Sequence, residues 1–493
     1  MSDSAATPKT GSHGTADPHL RRNLKARHLN MIAIGGAIGT GLFVASGGTI
    51  TGAGPGGALL AYGAIGVMVF FLMQSLGEMA TYCPSSGAFE VYATRYVSKS
   101  FGFAQGWNYW YNWAITVAAE LVAAALVMKY WAPNVPSWIW SAIFLALLVV
   151  LNSVSARAYG EGEFWFATIK VVTVCVFLVL GLGMILGIMG SPSPGFKNWT
   201  VGDAPFVNGG MGVLSVFMIA GFSFQGTELV GVAAGEAENP SETIPRAIRS
   251  IFWRILLFYI GAIAVIGFLI PYTNPDLLNA DVDNLSVSPF TLVFHNAGIA
   301  AAAAVMNAVI LTSVLSAGNS GLYASTRMLY ALAKSGKAPR VFASTSSHGV
   351  PVPALIATTM VGAACFLTSL IGDGGAYTWL VNASGLAGFI TWVAVAWSHL
   401  RFRKAFLAQG HSLDELPYKS SFFPLGPIIA LIMCIVVILG QNYEALLGRG
   451  DFTTLLTSYI GLPIFLAIWA IHKLVTRAPA VSPKEADLSR PER

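Results

Sequence analysis

Long apolar stretches alternate with short polar segments along nearly the whole chain. An α-helix rises 1.5 Å per residue, so about 20 mostly apolar residues cross the hydrocarbon core of a bilayer. Twelve such stretches are present, near residues 29–50, 56–80, 103–131, 137–154, 163–188, 211–234, 251–271, 298–327, 354–371, 377–400, 426–443 and 456–476. The segments between them are rich in Pro, Gly, Ser and Asn, which favour turns. The pattern predicts an all-α integral membrane protein with twelve transmembrane helices.

The first and sixth stretches contain Gly-rich runs, at residues 35–41 and 221–228, that disfavour a continuous helix. Each Gly costs a helix about 1 kcal/mol relative to Ala, and unwound backbone inside a membrane persists only where protein or a cavity surrounds it. We therefore expect helices 1 and 6 to be discontinuous. Matching interruptions in two halves indicate two inverted repeats of five helices.

This interpretation divides the chain into five parts. They are a polar N-terminal tail (1–28), a first five-helix repeat (29–188), an inverted second repeat (211–400), helices 11 and 12 (426–476) and a polar C-terminal tail (477–493). The first 28 residues lack the apolar core of a cleaved signal peptide, so we expect them to be a cytosolic tail.

Composition and charge agree with a membrane protein. Hydrophobic residues make up 55% of the chain and charged residues only 10%, against about 25% in soluble proteins, which excludes a large soluble enzyme. With the N-terminus inside, 24 of the 28 Lys and Arg residues lie on the tails and inner loops. This bias predicts that both termini are cytoplasmic. The net charge of +5 is thereby explained by topology, and no nucleic-acid partner is expected.

Three charges, Glu120, Glu228 and Lys170, lie inside the predicted spans and away from their ends. A charge there costs about 2.5–3.5 kcal/mol, so each needs a reason. Glu120 shares one helix face with Tyr109, Asn112, Trp113 and Thr116, at helical spacings. It is a candidate partner for a cationic side chain; the alternative is a protonated Glu that bonds to a neighbouring helix. Glu228 ends the interruption of the sixth span and has three possible roles: a proton carrier, a partner for an ammonium group, or a hydrogen-bond partner for the exposed backbone of the first span. Lys170 lies in the fifth span, and snorkelling to the inner surface is the alternative there.

Other charges are expected at the cytoplasmic surface. We predict that Glu236 is a solvated loop acid, and that Arg401, Arg403, Lys404 and Lys473 are helix flanks without a further role.

The Gly-rich run of the first span has several interpretations. It lacks the preceding strand of a dinucleotide site and the Gly-Lys-Ser/Thr ending of a phosphate loop. A helix-packing surface of small residues remains an alternative. As the start of a half-helix, Thr40 and Gly41 would offer N–H groups to a carboxylate at the positive end of the helix dipole.

Several motifs resemble those of bacterial amino-acid permeases of the amino acid–polyamine–organocation superfamily. They are Arg27-His28 with residues 31–43, residues 221–229, residues 238–247, and the pair 316–320 and 325–327. The resemblance covers roughly residues 20–475. Within the superfamily, residues 106–113, 286–290 and 441–445 are most similar to permeases that take lysine.

The resemblance implies a LeuT-like fold and a secondary active transporter that takes up a cationic amino acid, above all L-lysine, together with protons by alternating access. It places substrate at residues of three helices: Gly36, Ala37, Ile38, Gly39, Thr40 and Gly41; Tyr109, Asn112, Trp113, Thr116 and Glu120; and Phe222, Ser223, Phe224, Gln225 and Glu228. Carbonyl groups of Ala37, Phe222 and Gln225 would receive the α-ammonium group, and Phe222 would gate the site. Lys170 and Glu228 are the implied proton-coupling residues, with Ser316 and Asn319 near Lys170.

Alternatives remain open at this point. A permease of the same fold for aromatic amino acids, histidine or γ-aminobutyrate would use the aromatic residues of span three differently. A channel or an amino-acid sensor with a membrane partner is a different class. No zinc-protease helix or nucleophile elbow is present, so an enzyme, a metal and a cofactor are not expected. Substrate, protons and membrane lipid are the expected partners, in the inner (plasma) membrane.

Overall fold

The computed structural model describes residues 24–35, 38–43, 45–189, 192–278, 288–298, 301–367, 373–449 and 452–490. Helices dominate these residues, and the β pairing found among them is limited to two isolated bridges, Leu24 with Ala237 and Ser98 with Ala480. The predicted all-α class is confirmed.

The first half of the chain contains seven helices within the described residues. They are α1 (Ala26–Gly35), α2 (Thr40–Phe43), α3 (Ser46–Tyr82), α4 (Ala88–Tyr96), α5 (Lys99–Met128), α6 (Ser137–Val154) and α7 (Ala156–Ile185). Ser98 begins α5 because its hydroxyl accepts the N–H of Phe101 at 3.1 Å. Ser155 caps α7 in the same way, through the N–H of Ala158 at 3.0 Å, so both helices start at a satisfied N-cap.

The second half begins after a loop that contains the 3₁₀ turn Lys197–Trp199. Its helices are α8 (Gly209–Phe224), α9 (Leu229–Ala233), α10 (Pro240–Arg254), α11 (Gly261–Leu269), α12 (Pro275–Leu278), α13 (Pro289–Asn296), α14 (Ala302–Lys334), α15 (Val352–Gly362) and α16 (Asp373–Ala408). The final helices are α17 (Leu425–Gly440), α18 (Tyr443–Leu446), α19 (Phe452–Tyr459) and α20 (Gly461–Thr476). A π-helical turn, Ile255–Ile260, joins α10 to α11.

The two predicted interruptions are present. Helix α1 ends at Gly35, and helical geometry resumes at Thr40. Helix α8 ends at Phe224, and α9 begins at Leu229. The boundary between the first and second spans lies inside α3, where Gly54 has a φ of 75° and precedes Pro55. A Cβ at Gly54 would lie 2.6 Å from the carbonyl oxygen of Pro205, so the turn requires Gly.

The length and apolarity of the helices agree with a membrane protein. Among the described residues, eight helical segments are long and apolar enough to cross a membrane, and three apolar helices, Val352–Phe366, Leu425–Gly440 and Gly461–Thr476, are shorter. The first predicted span is interrupted and belongs to neither group. Each of the twelve stretches is mostly helical in its described part, whereas the crossing of a membrane by each of them, and the repeat boundaries, stay predictions.

Helix α5 lies at the centre of the molecule and α7 at its periphery. The most apolar part of α5 is 83% buried, and the helix packs against α14, α16 and α20. The corresponding part of α7 is only 28% buried. Apolar side chains of α7 such as Val179 and Leu182 are largely exposed. Exposed apolar residues on a helix of this length face lipid. Helix α5 is instead surrounded by other helices, so most of its polar residues face the interior of the protein.

Candidate functional site

The two interrupted helices meet at Gly41. A Cβ at Gly41 would lie 2.5 Å from the Cα of Ser223, closer than real Cβ contacts, so the backbones of α2 and α8 approach each other directly at this position. The hydroxyl of Ser223 is 2.9 Å from that of Tyr62, which holds α8 against α3. The absence of a side chain at Gly41 is therefore what allows the two breaks to face one interior space.

A small cavity lies between the interruptions and α5. Its volume is about 30 Å³, and it is lined by Gly39, Thr40, Gly41, Trp113, Thr116, Glu120, Phe222, Gln225 and Ala317. All of these residues are buried except Phe222, which is partly exposed. This volume holds little more than a water molecule, so an amino acid enters only if the walls move apart.

Glu120 provides the only acidic side chain in the lining of this described cavity. It is 4% exposed, and one of its carboxylate oxygens, Oε1, accepts a hydrogen bond of 3.2 Å from the hydroxyl of Thr40. The other, Oε2, has no hydrogen-bond partner among the described residues. A buried carboxylate with one unused oxygen is suited to bind a cation.

Polar side chains of α5 and α16 continue from Glu120. The hydroxyl groups of Thr116 and Ser384 are 2.6 Å apart, and Ser384 donates a hydrogen bond of 3.0 Å to the side-chain oxygen of Asn112. The predicted helix face of α5 is thus connected to α16 through Ser384. Sequence reasoning missed Ser384 because it lies on another helix, at no recognisable spacing from α5.

Glu228 closes the interruption of the sixth span. Its carboxylate accepts hydrogen bonds from the backbone N–H of Gly226 at 3.2 Å and from the indole N–H of Trp392 at 3.3 Å. Gly226 has a φ of 95°, which favours glycine, and the carboxylate therefore satisfies backbone freed by the break. One possible role of Glu228 was a bond to the backbone of the first span. The hydrogen bonds described here do not include one.

Lys170 is buried on α7, two helical turns after Glu163, and both Glu163 and Glu120 act electrostatically on its ammonium group. Glu163 is itself buried and accepts a hydrogen bond of 2.7 Å from the hydroxyl of Ser316 on α14. The predicted neighbour Asn319 instead accepts a hydrogen bond of 2.8 Å from Asn152. Glu163 was missed at the sequence level, although its spacing of seven residues from Lys170 places both on one helix face.

The remaining predicted site residues that the structure describes do not line the cavity. Phe224 stacks on Tyr259 with ring centroids 4.1 Å apart, and Tyr109 lies 4.5 Å from the ring of Phe89. Ile38, Asn112, Ser223, Glu228 and Lys170 are buried outside the lining. Gly36 and Ala37 lie outside the described residues. The structure brings eight predicted residues together: Gly39, Thr40, Gly41, Trp113, Thr116, Glu120, Phe222 and Gln225.

Two predictions about surface charges are wrong. Glu236 is fully buried and accepts hydrogen bonds from Arg327 Nε at 2.8 Å and from the Tyr323 hydroxyl at 2.7 Å. Arg403 is 3% exposed and donates to the carboxylate of Glu78, from Nη2 at 2.6 Å. Both charges lie near helix ends that the sequence places at the cytoplasmic surface. Helix packing instead pairs Glu236 with Arg327, more than 90 residues away, and Arg403 with Glu78, more than 300 residues away.

Comparison with known proteins identifies the class to which this arrangement belongs. The model of the family "Amino acid permease" matches residues 28–482. The chain therefore belongs to the amino acid permease family, and it is a polytopic membrane transporter.

Individual relatives are similar over nearly the full length. The chain is 60% identical to the lysine-specific permease LysP of Escherichia coli strain K12, over 94% of this chain and 95% of the relative. It is 51% identical to LysP of Lactococcus lactis subsp. cremoris over 98% of this chain and 95% of that one. The histidine permease HisP of the same Lactococcus strain is 49% identical, over 96% of this chain and 98% of its own.

Proposed function

We propose that this permease takes up a cationic amino acid, L-lysine, together with protons, across the inner membrane, with both termini in the cytoplasm. Alternating access moves the interrupted helices relative to α5 and α14. The relatives named as lysine-specific permeases support lysine, since they are 60% and 51% identical to this chain.

The single observation that carries the proposal is the position of Glu120 in the cavity wall. A carboxylate in a membrane interior is costly unless it meets a cation, and its Oε2 atom has no partner among the described residues. The side-chain ammonium group of lysine is a cation that would enter with the substrate. Glu120 therefore explains why a permease with this site selects a cationic side chain.

The backbone part of the substrate fits the interruptions. A helix start has N–H groups without intrahelical partners, and α2 starts at Thr40 in the cavity wall. We assign the substrate carboxylate to the N–H groups of Thr40 and Gly41. The α-ammonium group is assigned to carbonyl groups at the two breaks, those of Ala37, Phe222 and Gln225. Phe222, the partly exposed residue of the lining, is assigned the gating role.

Lys170 is assigned the proton-coupling role, with Glu228 as the second candidate. Lys170 is buried within electrostatic reach of Glu163 and Glu120. A change in its protonation alters the charge balance beside the substrate carboxylate, which links proton movement to substrate binding. Lys170 is fully buried, which does not favour the snorkelling alternative.

The substrate assignment is tested with a Glu120→Gln variant in proteoliposomes under an imposed proton gradient. Gln keeps the shape and removes the charge, so we expect lysine affinity to fall about 10-fold or more, at 1.4 kcal/mol per factor of ten. The control is Glu238→Gln, which changes an exposed acid near the cytoplasmic end. Unchanged lysine affinity in Glu120→Gln, measured by calorimetry on folded protein, would exclude Glu120 as the anchor.

Histidine is the second candidate substrate, because the 49% identical relative is named as a histidine permease. Competition of labelled lysine uptake by arginine, histidine and phenylalanine separates the two. Lysine uptake that only unlabelled lysine inhibits supports the main proposal, and stronger inhibition by histidine than by lysine supports the alternative.

The coupling role is tested with Lys170→Gln. We expect this variant to lose accumulation driven by a pH gradient while it still binds lysine. The wild-type chain is expected to lose accumulation when both the pH gradient and the membrane potential are abolished. Undiminished uptake by the wild-type chain under that condition contradicts proton coupling altogether.

A further inference from the structure

We propose that the face formed by α5, α16 and α20 holds one glycerophospholipid with an anionic headgroup, whose acyl chain occupies a groove between the helices. The inference does not rest on the substrate or on proton coupling. It concerns a cavity on the membrane-facing side of α5 that shares no lining residue with the substrate cavity.

The groove is an apolar cavity on this face. Its volume is about 440 Å³, within the range of about 300–1,000 Å³ of sites that bind small organic ligands. Its walls include Phe103 and Trp107 of α5, Ala383 of α16, and Ile464 and Ile468 of α20. Ile464 is 52% exposed, so the groove is open toward lipid rather than sealed in the core. An apolar, lipid-facing groove of this kind accepts a hydrocarbon chain.

A second cavity of about 470 Å³ continues the same two helix faces toward their cytoplasmic ends, and its lining combines charged and polar side chains with apolar ones. Lys99 lies four residues before Phe103 on α5, and His472 lies four residues after Ile468 on α20. The rings of Phe103 and His472 stack with centroids 4.2 Å apart and mark the boundary between the two cavities. The apolar groove is thus followed by a cavity whose lining includes charged side chains, which is the order of parts in a phospholipid.

The charge of the second cavity indicates the headgroup. Lys99 and Arg477 both line it, and neither forms an ion pair or hydrogen bond with the described residues. One acid, Glu485, lies in the same lining, and Lys473 is exposed nearby on α20. The site therefore has an excess of basic groups without partners. Basic side chains at the cytoplasmic surface attract anionic lipids, so a headgroup with a net negative charge fits better than a zwitterionic one.

The test is native mass spectrometry of the full-length protein, purified in detergent and supplied with equal amounts of phosphatidylglycerol and phosphatidylcholine. We expect one phosphatidylglycerol to be retained in preference to phosphatidylcholine. Lys99→Gln together with Arg477→Gln is expected to reduce this preference about fivefold for each charge removed. The control, Lys404→Gln, changes an exposed Lys elsewhere on the inner surface and is expected to keep the preference.

The groove is tested separately with Ala383→Phe, which fills the apolar part and leaves the basic residues unchanged. We expect it to reduce retention of both lipids, whereas the charge variant changes only the choice between them. Equal retention of the two lipids by the wild-type chain would overturn the proposal. An undiminished preference in the charge variant, or undiminished retention in Ala383→Phe with a normal melting temperature, would do the same.

Discussion

At the scale of single residues, Gly41 shows how strongly the site depends on a missing side chain. The first and sixth spans touch there through backbone atoms, with the Cα of Ser223 only 2.5 Å from the position of a Cβ. Gly39, two residues earlier, has more space, because a Cβ there would meet the Ala317 side chain at an ordinary 3.6 Å. The two glycines line the same cavity but have different steric requirements.

This difference predicts contrasting effects of two Ala substitutions. Gly41→Ala forces the backbones of α2 and α8 apart, at a cost of about 1–3 kcal/mol, and is expected to abolish most uptake. Gly39→Ala is the matched control and is expected to retain substantial uptake. Uptake in proteoliposomes, with expression and melting temperature of each variant, measures the contrast. Equal activity of the two variants would contradict the close approach at Gly41.

At the scale of elements, the C-terminal part of α14 and the segment that follows α9 are held together by charged and aromatic groups. Arg327 on α14 donates to Glu236 at 2.8 Å, and both are at most 1% exposed. Tyr323 stacks on Tyr159 of α7 with ring centroids 3.9 Å apart. The backbone N–H of Leu24 donates to the carbonyl oxygen of Glu236 at 3.0 Å, so the segment before α1 also joins this contact. Under the proposed alternating access, movement of the interrupted helices toward an inward-open state breaks these interactions.

We predict that Arg327→Gln favours the inward-open state. Removal of one partner from a buried ion pair costs about 3–5 kcal/mol, and that cost applies to the closed arrangement of these helix ends. Net uptake is expected to fall, and the substrate cavity is expected to become more accessible from the cytoplasmic side. The control is Arg340→Gln, which changes an exposed residue in the 3₁₀ turn Arg340–Ala343. It is expected to have neither effect.

Thiol labelling in inside-out vesicles measures this accessibility. Ala317→Cys places a reporter in the cavity wall, and Cys175→Ala removes the exposed native cysteine, while Cys83, Cys365 and Cys434 are buried. An impermeant reagent should label the reporter several times faster with Arg327→Gln than without it. An unchanged rate would show that this ion pair does not control the cytoplasmic opening.

At the scale of the whole molecule, the C-terminal strap, residues 478–490, packs across the ends of several helices. The N–H of Val481 donates to the carbonyl oxygen of Val97 at 2.8 Å, and the Tyr82 hydroxyl donates to that of Leu488 at 2.9 Å. Gln409 donates to the carbonyl oxygen of Ala486 at 2.8 Å. The strap thereby connects α3 and the segment after α4 with the end of α16.

Deletion of the strap is expected to lower stability. Each net hydrogen bond contributes about 0.5–1.5 kcal/mol, so loss of the three described above predicts a clear decrease in melting temperature. Gln409→Ala removes one contact and should have a smaller effect in the same direction. A deletion variant as stable as the full chain would show that these contacts add nothing to the folded state.

Docking of the strap is also expected to depend little on pH near neutrality. Burial raises the pKa of Asp487, but hydrogen bonds from Ser489 and the positive charge of Arg95 outweigh it, so the pKa of Asp487 is lowered. A carboxyl group whose pKa is lowered by folding stabilises the folded state at pH values above its unfolded pKa, about 3.9. That stabilisation is lost only as the pH falls further. Amide exchange of residues 480–488 should therefore show equal protection between about pH 5 and 8. Loss of protection within that range contradicts the sign of this shift.

The sequence by itself determined the helical class, the positions of the apolar stretches and both interruptions, because local composition controls whether a helix is apolar and continuous. It also singled out Glu120, Lys170 and Glu228, since a charge in an apolar span is conspicuous.

Only the tertiary structure decided which groups meet. Ser384 beside Asn112, Arg403 beside Glu78 and Arg327 beside Glu236 lie far apart in the chain, and no spacing rule links residues on different helices. Packing of the helices also pairs charges that looked solvated, and it leaves no space for a side chain at Gly41. The free energy of a buried charge and the space at a glycine both depend on neighbours from other parts of the chain.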